Sequence, residues 1–229
     1  MTPKHHIVFL TGAGISQESG ISTFRDANGL WNNHKLEEVA SPEGFEKNPQ
    51  LVLDFYNARR RQLDEVKPNE AHHLIAQLET KYNVTIITQN IDDLHERAGS
   101  TNVLHLHGEL RKCRSSKNPN LIYTCTQDIK LGDLASDGNQ LRPHIVWFGE
   151  AVTEIEKAIA ITQSADLFVI VGTSMVVHPA ASLLLAVPVD VQTVYIDNNP
   201  DVEEGINLLV IKEKATAGVR ILVEECLPY

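Results

Sequence analysis

Two apolar periods alternate along most of the chain. Short runs rich in leucine and β-branched residues occur at His5–Thr11, Val84–Thr88, Val103–Leu106, Leu167–Val171, Val191–Ile196 and Leu208–Ile211. Continuous apolar runs of strand length predict strands covered on both faces. Between them lie segments with helical spacing, Glu70–Tyr82, Thr153–Ser164 and Ala217–Leu227. Strands alternating with helices predict βαβ units, and so an α/β fold with a Rossmann-type, doubly wound, mostly parallel sheet. Two stretches interrupt the alternation. Ala27–Lys67 offers no good strand and one strong helix, Pro49–Val66, while Lys112–Gln140 is polar and poorly periodic. These predict a small lobe inserted into one domain. The sheet core would cover about 1–30, 66–110 and 141–229, and the lobe about 31–65 and 111–140.

The first strand runs into Thr11-Gly12-Ala13-Gly14-Ile15-Ser16. Glycines between a strand and a helix let a backbone approach phosphates, and the helix N-terminus offers free N–H donors. From these residues alone, a nucleotide site and a tight structural turn both stay open. The dehydrogenase fingerprint fails: Gln17 holds the third glycine position, and no strand follows soon enough to place an acid on the ribose. Elsewhere, Gln89, Asn90 and Asp92 follow a strand, where they suit either a ligand's amide and hydroxyls or the cap of a helix opening at Leu94. His105 and His107 lie two apart on a strand, hence on one face. Core histidines, metal ligands and a general base at the strand end compete as readings of that pair.

The helix Pro49–Val66 carries an apolar stripe of Val52, Phe55, Tyr56 and Leu63, and Arg59 falls on it. Arginine is seldom fully buried unless paired. It either snorkels or pairs with Glu65 or Asp54, or it converges with Tyr56, three residues away, on a carboxylate ligand.

Composition narrows the classes. The 229 residues carry 30 acidic and 20 basic side chains, a formal charge of -10. That disfavours nucleic acid, whose phosphates need a basic surface. Ile7–Leu10 is too short for a signal or membrane segment, so no membrane partner is expected. Three scattered cysteines, Cys113, Cys125 and Cys226, point to a reducing, cytoplasmic compartment.

The run from Gly12 through Gly20 to Phe24-Arg25-Asp26 and Gly29-Leu30-Trp31 resembles the cofactor loop of the sirtuins, the NAD-dependent protein deacylases. The likeness continues at Thr88-Gln89-Asn90-Ile91-Asp92, Leu106-His107-Gly108, Pro143-His144-Ile145-Val146-Trp147-Phe148-Gly149-Glu150 and Gly172-Thr173-Ser174, in family order. It implies NAD as cofactor and acyl-lysine protein substrates. It implies that Gly12, Ala13, Gly14, Ile15, Ser16, Gly20, Phe24, Arg25, Trp31, Gln89, Asn90, Ile91, Asp92, Gly172, Thr173 and Ser174 bind the cofactor. The same role extends to Asp197, Asn198, Asn199 and Ala215. His107 would be the catalytic base, activating a ribose hydroxyl to give free lysine, nicotinamide and O-acyl-ADP-ribose. Val146, Phe148, Gly149 and Val177 would hold substrate. Tyr56 and Arg59 match the pair that marks class III sirtuins, which remove succinyl and malonyl as well as acetyl groups.

The chain departs from the family in two places. Most sirtuins bind zinc through two cysteine pairs, but Cys113 and Cys125 belong to no CxxC pair and Leu134–Arg142 has no cysteine. A tetrahedral four-cysteine site cannot be built, and no metal is expected. Asp197 stands where the family usually has asparagine; its charge suits ribose hydroxyls and disfavours a 2′-phosphate, favouring NAD over NADP. The alternatives are protein ADP-ribosyl transfer, which Tyr56 and Arg59 disfavour, and a non-catalytic NAD-binding module, which His107 and Trp147–Glu150 disfavour.

Overall fold

The computed structural model describes residues 5–22, 30–31, 34–174, 178–200 and 204–227; the side chains of residues 30 and 31 are outside that description. Strands are β1 (His6–Thr11), β2 (Leu30–Trp31), β3 (His34–Lys35), β4 (Asn83–Thr88), β5 (Val103–His105), β6 (Gly108–Ser115), β7 (Ile122–Thr124), β8 (Leu141–Ile145), β9 (Leu167–Val171), β10 (Gln192–Ile196) and β11 (Leu208–Ile211). Helices are α1 (Ala13–Gln17), α2 (Leu36–Val39), α3 (Pro42–Lys47), α4 (Pro49–Glu65), α5 (Glu70–Leu78), α6 (Leu94–Ala98), α7 (Ile155–Gln163) and α8 (Ala215–Ile221).

Six parallel strands form the main sheet in the order β11-β10-β9-β1-β4-β5. Each strand sends alternate side chains to opposite faces. Ile7, Phe9, Ile86, Val169 and Val194 meet Ile75 of α5 and Val219 of α8 on one face. Val8, Leu10, Ile87, Phe168 and Tyr195 meet Ala158 of α7 and Leu183 on the other. Both faces are covered, which is why the strands read as continuous apolar runs. The fold is the expected Rossmann-type α/β sheet. From β1 the chain goes to β4 and β5 on one side, and later to β9, β10 and β11 on the other. The order therefore reverses between β1 and β9, and ligands bind at the carboxyl edge of such a reversal. Among the described residues, no helix is long and apolar enough to cross a membrane.

The second lobe differs from its expected outline. The segment read as aperiodic contains β6 and β7 and leads into β8, an antiparallel sheet in the order β7-β6-β8. Its strands span residues 108–145, beyond the expected 111–140. A register shift between Glu109 and Cys113 breaks the period-two pattern, and Arg111, Lys112 and Arg114 hide it further by their charge. Between Glu109–His144 and Cys113–Pro143, β6 advances four residues while β8 advances one, and an irregularity of this kind scrambles the alternation.

Helix α4 has two buried faces rather than one. Val52, Phe55, Tyr56 and Leu63 pack with Trp147, Ile145 and Leu110. Leu53 packs with Cys113 and Ile129 against the small sheet, and Asn57 and Arg60 are also buried on this side. Asn57 Nδ2 donates to the Ile129 carbonyl at 2.9 Å and its Oδ1 accepts from the Ile129 N–H at 2.9 Å. Arg60 Nε donates to the Leu110 carbonyl at 2.8 Å. The lobe is thus tied to α4 by a small apolar core and by an amide that mimics a strand partner.

Asn57→Ala would leave both Ile129 backbone groups buried without those partners. It is expected to destabilise the protein by roughly 1–3 kcal/mol, read from the shift of the urea unfolding midpoint. An unchanged midpoint would count against the tie.

Candidate active site

Two turns meet at the strand reversal. Gly12 N–H donates to the Val171 carbonyl at 3.0 Å, and Gly14 N–H to the Gly172 carbonyl at 2.8 Å. A Cβ on Gly14 would stand 2.6 Å from the Gly172 Cα, and one on Gly12 2.6 Å from the Thr173 Cβ. Gly172 itself has φ +62°, a left-handed conformation that favours glycine. The glycines therefore serve close backbone contact between β1 and β9 as well as any ligand.

Beside them opens a cavity of about 910 Å³. It brings together Gly12, Ala13, Gly14, Ser16, Gln89, Asn90, Ile91, Asp92, His107, Gly172, Thr173, Ser174, Asp197, Asn198 and Asn199 from the carboxyl ends of β1, β4, β9 and β10 and from the turn after β5. Tyr56, Arg59, Val146, Phe148 and Gly149 line the same space from α4 and the segment after β8. Three expected residues sit elsewhere. Ile15 is fully buried in the sheet core, because α1 turns its apolar side to the sheet. Gly20 lies against Val66 at φ +98°. Ala215 lines a small adjoining cavity with Asp197, Asn198 and Lys214. Of Trp31 only the backbone, in β2, is described; Phe24, Arg25 and Val177 fall outside the described residues. Sequence reading missed Gln62 and Leu63, also on the wall. Gln62 follows Arg59 by three residues, a helical spacing that pointed to it.

The polar groups are held tightly. Asn90 Nδ2 donates to the Gly12 carbonyl at 3.0 Å and to Ser16 Oγ at 3.2 Å. Asp92 Oδ2 accepts from Ser16 Oγ at 2.9 Å, and its Oδ1 accepts from the Leu94 N–H at 3.1 Å. The N-cap of α6 is Asp93, so Asp92 supports the helix only through the Leu94 N–H while also lining the cavity. Burial pushes its carboxyl pKa up against those two hydrogen bonds. Gln89 Nε2 donates to Thr173 Oγ1 at 3.0 Å, joining the β4 and β9 turns.

The two histidines part company. His107 Nδ1 lies 3.0 Å from the Gln89 carbonyl. A carbonyl only accepts, so Nδ1 carries the proton and Nε2 keeps its lone pair. Burial lowers the His107 pKa, opposed by that hydrogen bond. His105 Nδ1 lies 3.0 Å from the Asn90 carbonyl, and its Nε2 2.7 Å from Glu96 Oε1. Two acceptors favour the doubly protonated ring; burial works against it, but Glu96 prevails and the pKa is raised. Residue spacing does not reveal this nearby carboxylate, because Glu96 arrives from α6. Among the described residues, no group of three His, Cys, Asp or Glu side chains could hold a metal ion.

On the opposite wall Arg59 is buried, with its guanidinium carbon 4.9 Å from the centroid of the Phe55 ring and Nη1 3.5 Å from Gln62 Oε1. Burial lowers its pKa to about 10, opposed by Tyr56, so it stays charged at neutral pH. Tyr56 Oη accepts from Trp147 Nε1 at 3.1 Å. Trp147 rests under Arg142, which grips Glu150 through two hydrogen bonds of 2.7 and 3.0 Å.

Can these residues accept a dinucleotide? The volume falls within the range of about 300–1,000 Å³ typical of ligand sites. The Asp197 carboxylate at the β10 end suits ribose hydroxyls, and the Asn90 and Asp92 end suits a carboxamide. The donor set fits. A crevice of this kind, at the reversal of a doubly wound sheet with an imidazole on its wall, defines a nucleotide-using α/β enzyme. Comparison with known proteins narrows it further. Residues 12–179 match the Sir2 family model. A Bacteroides thetaiotaomicron NAD-dependent protein deacylase is 53% identical over 230 residues, covering 97% of this chain and 98% of that one. A Helicobacter pylori protein of the same name is 61% identical over 192 residues, covering 84% of each. A solved Sir2 homolog–NAD complex superposes with TM-score 0.85 at 39% identity, covering 96% of this chain and 88% of that one. A Sir2–p53 peptide–NAD+ structure does so with TM-score 0.80 at 32% identity, covering 97% and 94%. The chain belongs to the Sir2 family.

The opposite pKa shifts are directly measurable. In an NMR titration His107 is expected to stay neutral to pH values below the ordinary 6.5, and His105 to stay charged above it. Titration in the reverse order would contradict the assigned hydrogen bonds.

Proposed function

We propose that this chain, an NAD-dependent protein-lysine deacylase, removes succinyl and malonyl as well as acetyl groups, with His107 as general base. The observation that carries the reading is a buried, still-charged Arg59 beside Tyr56 on the wall of the same cavity as His107. A guanidinium can grip a carboxylate through paired hydrogen bonds, and burial strengthens that grip. An acyl chain ending in a carboxylate supplies that partner, and an acetyl group does not need it.

NAD, when bound, supplies a glycosidic bond to nicotinamide and the ribose hydroxyls that receive the acyl group. The protein's own residues supply position and a base. Asn90 and Asp92 present an amide and a carboxyl at the β4 end of the cavity. Asp197 offers acceptors to hydroxyls at the β10 end. His107 takes a hydroxyl proton at Nε2, its ring held by the Gln89 carbonyl. The segment Val146–Gly149 lies beside it, since Val146 N–H donates to the His107 carbonyl at 2.9 Å. An extended peptide backbone could pair there. Free lysine, nicotinamide and O-acyl-ADP-ribose are the products of this reading. The net charge of -10 supports basic, lysine-bearing protein substrates over nucleic acid. A cytoplasmic setting belongs to the same reading, with Cys113, Cys125 and Cys226 free thiols.

The test incubates the protein with NAD and matched acetyl- and succinyl-lysine peptides, following peptide and O-acyl-ADP-ribose by mass. Arg59→Met should lower kcat/KM for the succinyl peptide roughly ten- to a hundredfold, the worth of a charge-assisted contact of about 1.5–3 kcal/mol. Deacetylation should change far less; equal loss of both would sink the acyl-pocket role. His107→Ala should keep the fold by circular dichroism and lose turnover of both peptides. Near-wild-type turnover would remove His107 as the base.

A further inference from the structure

The small lobe holds a pair of thiols that the deacylase reading does not use. Cys113 lies on β6 and Cys125 just after β7. Cys113 faces Tyr123 across the β6–β7 ladder, and Cys125 N–H donates to the Arg111 carbonyl at 2.7 Å. The two cysteines are thus diagonal neighbours on one face of an antiparallel pair. Cys113 is buried against Leu53 and Ile129, while Cys125 is half-buried at the edge of that cluster. The two thiols lie within hydrogen-bonding reach of each other, and Cys125 Sγ itself donates to the Gln127 carbonyl at 3.3 Å.

A second, independent feature points to the same place. Arg60 is 1% exposed. Its Nε is bonded to Leu110 and its Nη1 donates to Asn57 Oδ1 at 2.7 Å. Its buried Nη2 has no hydrogen-bond partner among the described residues. Leaving such a donor unpaired is costly. Burial lowers the Arg60 pKa, and the nearby groups that oppose this are Cys125, then Cys113, then Asp128. A cation with a spare donor beside two thiols is the setting that creates a thiolate.

We propose that Cys125 is a reactive thiolate, a modification site for electrophiles of the hydroperoxide class, with Cys113 as its resolving thiol. The Cys125 sulfur attacks one peroxide oxygen; an S–O bond forms as the O–O bond breaks, and hydroxide or alkoxide leaves. The sulfur is oxidised by two electrons to the sulfenic acid, and the peroxide is reduced. Cys113 then attacks the sulfenic sulfur; the S–S bond forms, the S–O bond breaks, and the thiol's proton leaves with the hydroxyl as water. The thiol hydrogen bond first, then Arg60, lowers the Cys125 pKa to about 7 against burial and the nearby Asp133. Cys113 is shifted upward, chiefly by its hydrogen bond to Cys125. Cys226 provides an internal control: it is exposed, yet burial and Glu225 raise its pKa.

The experiment alkylates the reduced protein with limiting iodoacetamide at pH 7 and maps the cysteine peptides by mass. Cys125 should label several-fold faster than the more exposed Cys226. The gain in thiolate outweighs the weaker nucleophilicity of a more acidic thiol. Cys113→Ser, which keeps a hydrogen-bond donor, should retain that rate, and Cys113→Ala should lose it. Hydrogen peroxide should convert the wild type to a Cys113–Cys125 disulfide, a loss of two mass units, while Cys113→Ser accumulates a sulfenic acid that dimedone traps. Cys226 labelling first, or oxygen retained on wild-type Cys125 beside a free Cys113, would overturn the proposal. The wild-type measurements decide it even if a variant fails to fold.

Discussion

The architecture depends on one close approach. The turn after β1 and the turn after β9 lie backbone to backbone, with Gly12 and Gly14 giving their N–H groups to Val171 and Gly172. There is no room for a β-carbon at Gly14, and Gly172 adopts a left-handed conformation. This contact closes the point where strand order reverses, and it fixes the floor of the cavity. Asn90 then reaches across to the Gly12 carbonyl, and Gln89 to Thr173, so the β4 turn is registered to the same floor. This half of the cavity is therefore one rigid cluster of strand ends. Its polar side chains are already spoken for by neighbours, so they pay little further ordering cost when a ligand arrives.

The same economy governs the two imidazoles. Consecutive carbonyls, Gln89 and Asn90, receive the Nδ1 protons of His107 and His105. What separates the rings is the second nitrogen. His105 gives it to Glu96, which raises its pKa against burial; His107 keeps a lone pair there and faces the cavity. One loop conformation thus sets both the tautomer of His107 and the position of the amides beside it.

Much of this was legible in the sequence, for identifiable reasons. Strands covered on both sides have to be apolar throughout, so all six could be read directly. Arg59 stood out because a charge on an apolar stripe demands an explanation, and it does line the cavity. The small lobe was opaque. Its strands carry charge on the outer face and a bulge within, and period-two reading fails on both counts. Asn57 and Arg60 went unremarked because α4 was given one apolar stripe, whereas it has two buried sides. Nothing in the sequence tells a polar residue that meets water from one that replaces a missing strand partner. Ile15 shows a related limit: a motif assigns a role to every residue in it, while the short helix turns this side chain into the core.

Helix α4 has a consequence for how such proteins diverge. One of its sides shapes the chamber wall and the other anchors the auxiliary sheet, and neither contributes to the glycine floor. Substitutions along the chamber side can therefore reshape the chamber wall at positions such as Arg59 while leaving the contact between the two glycine turns intact. At Gly14, by contrast, no side chain fits at all.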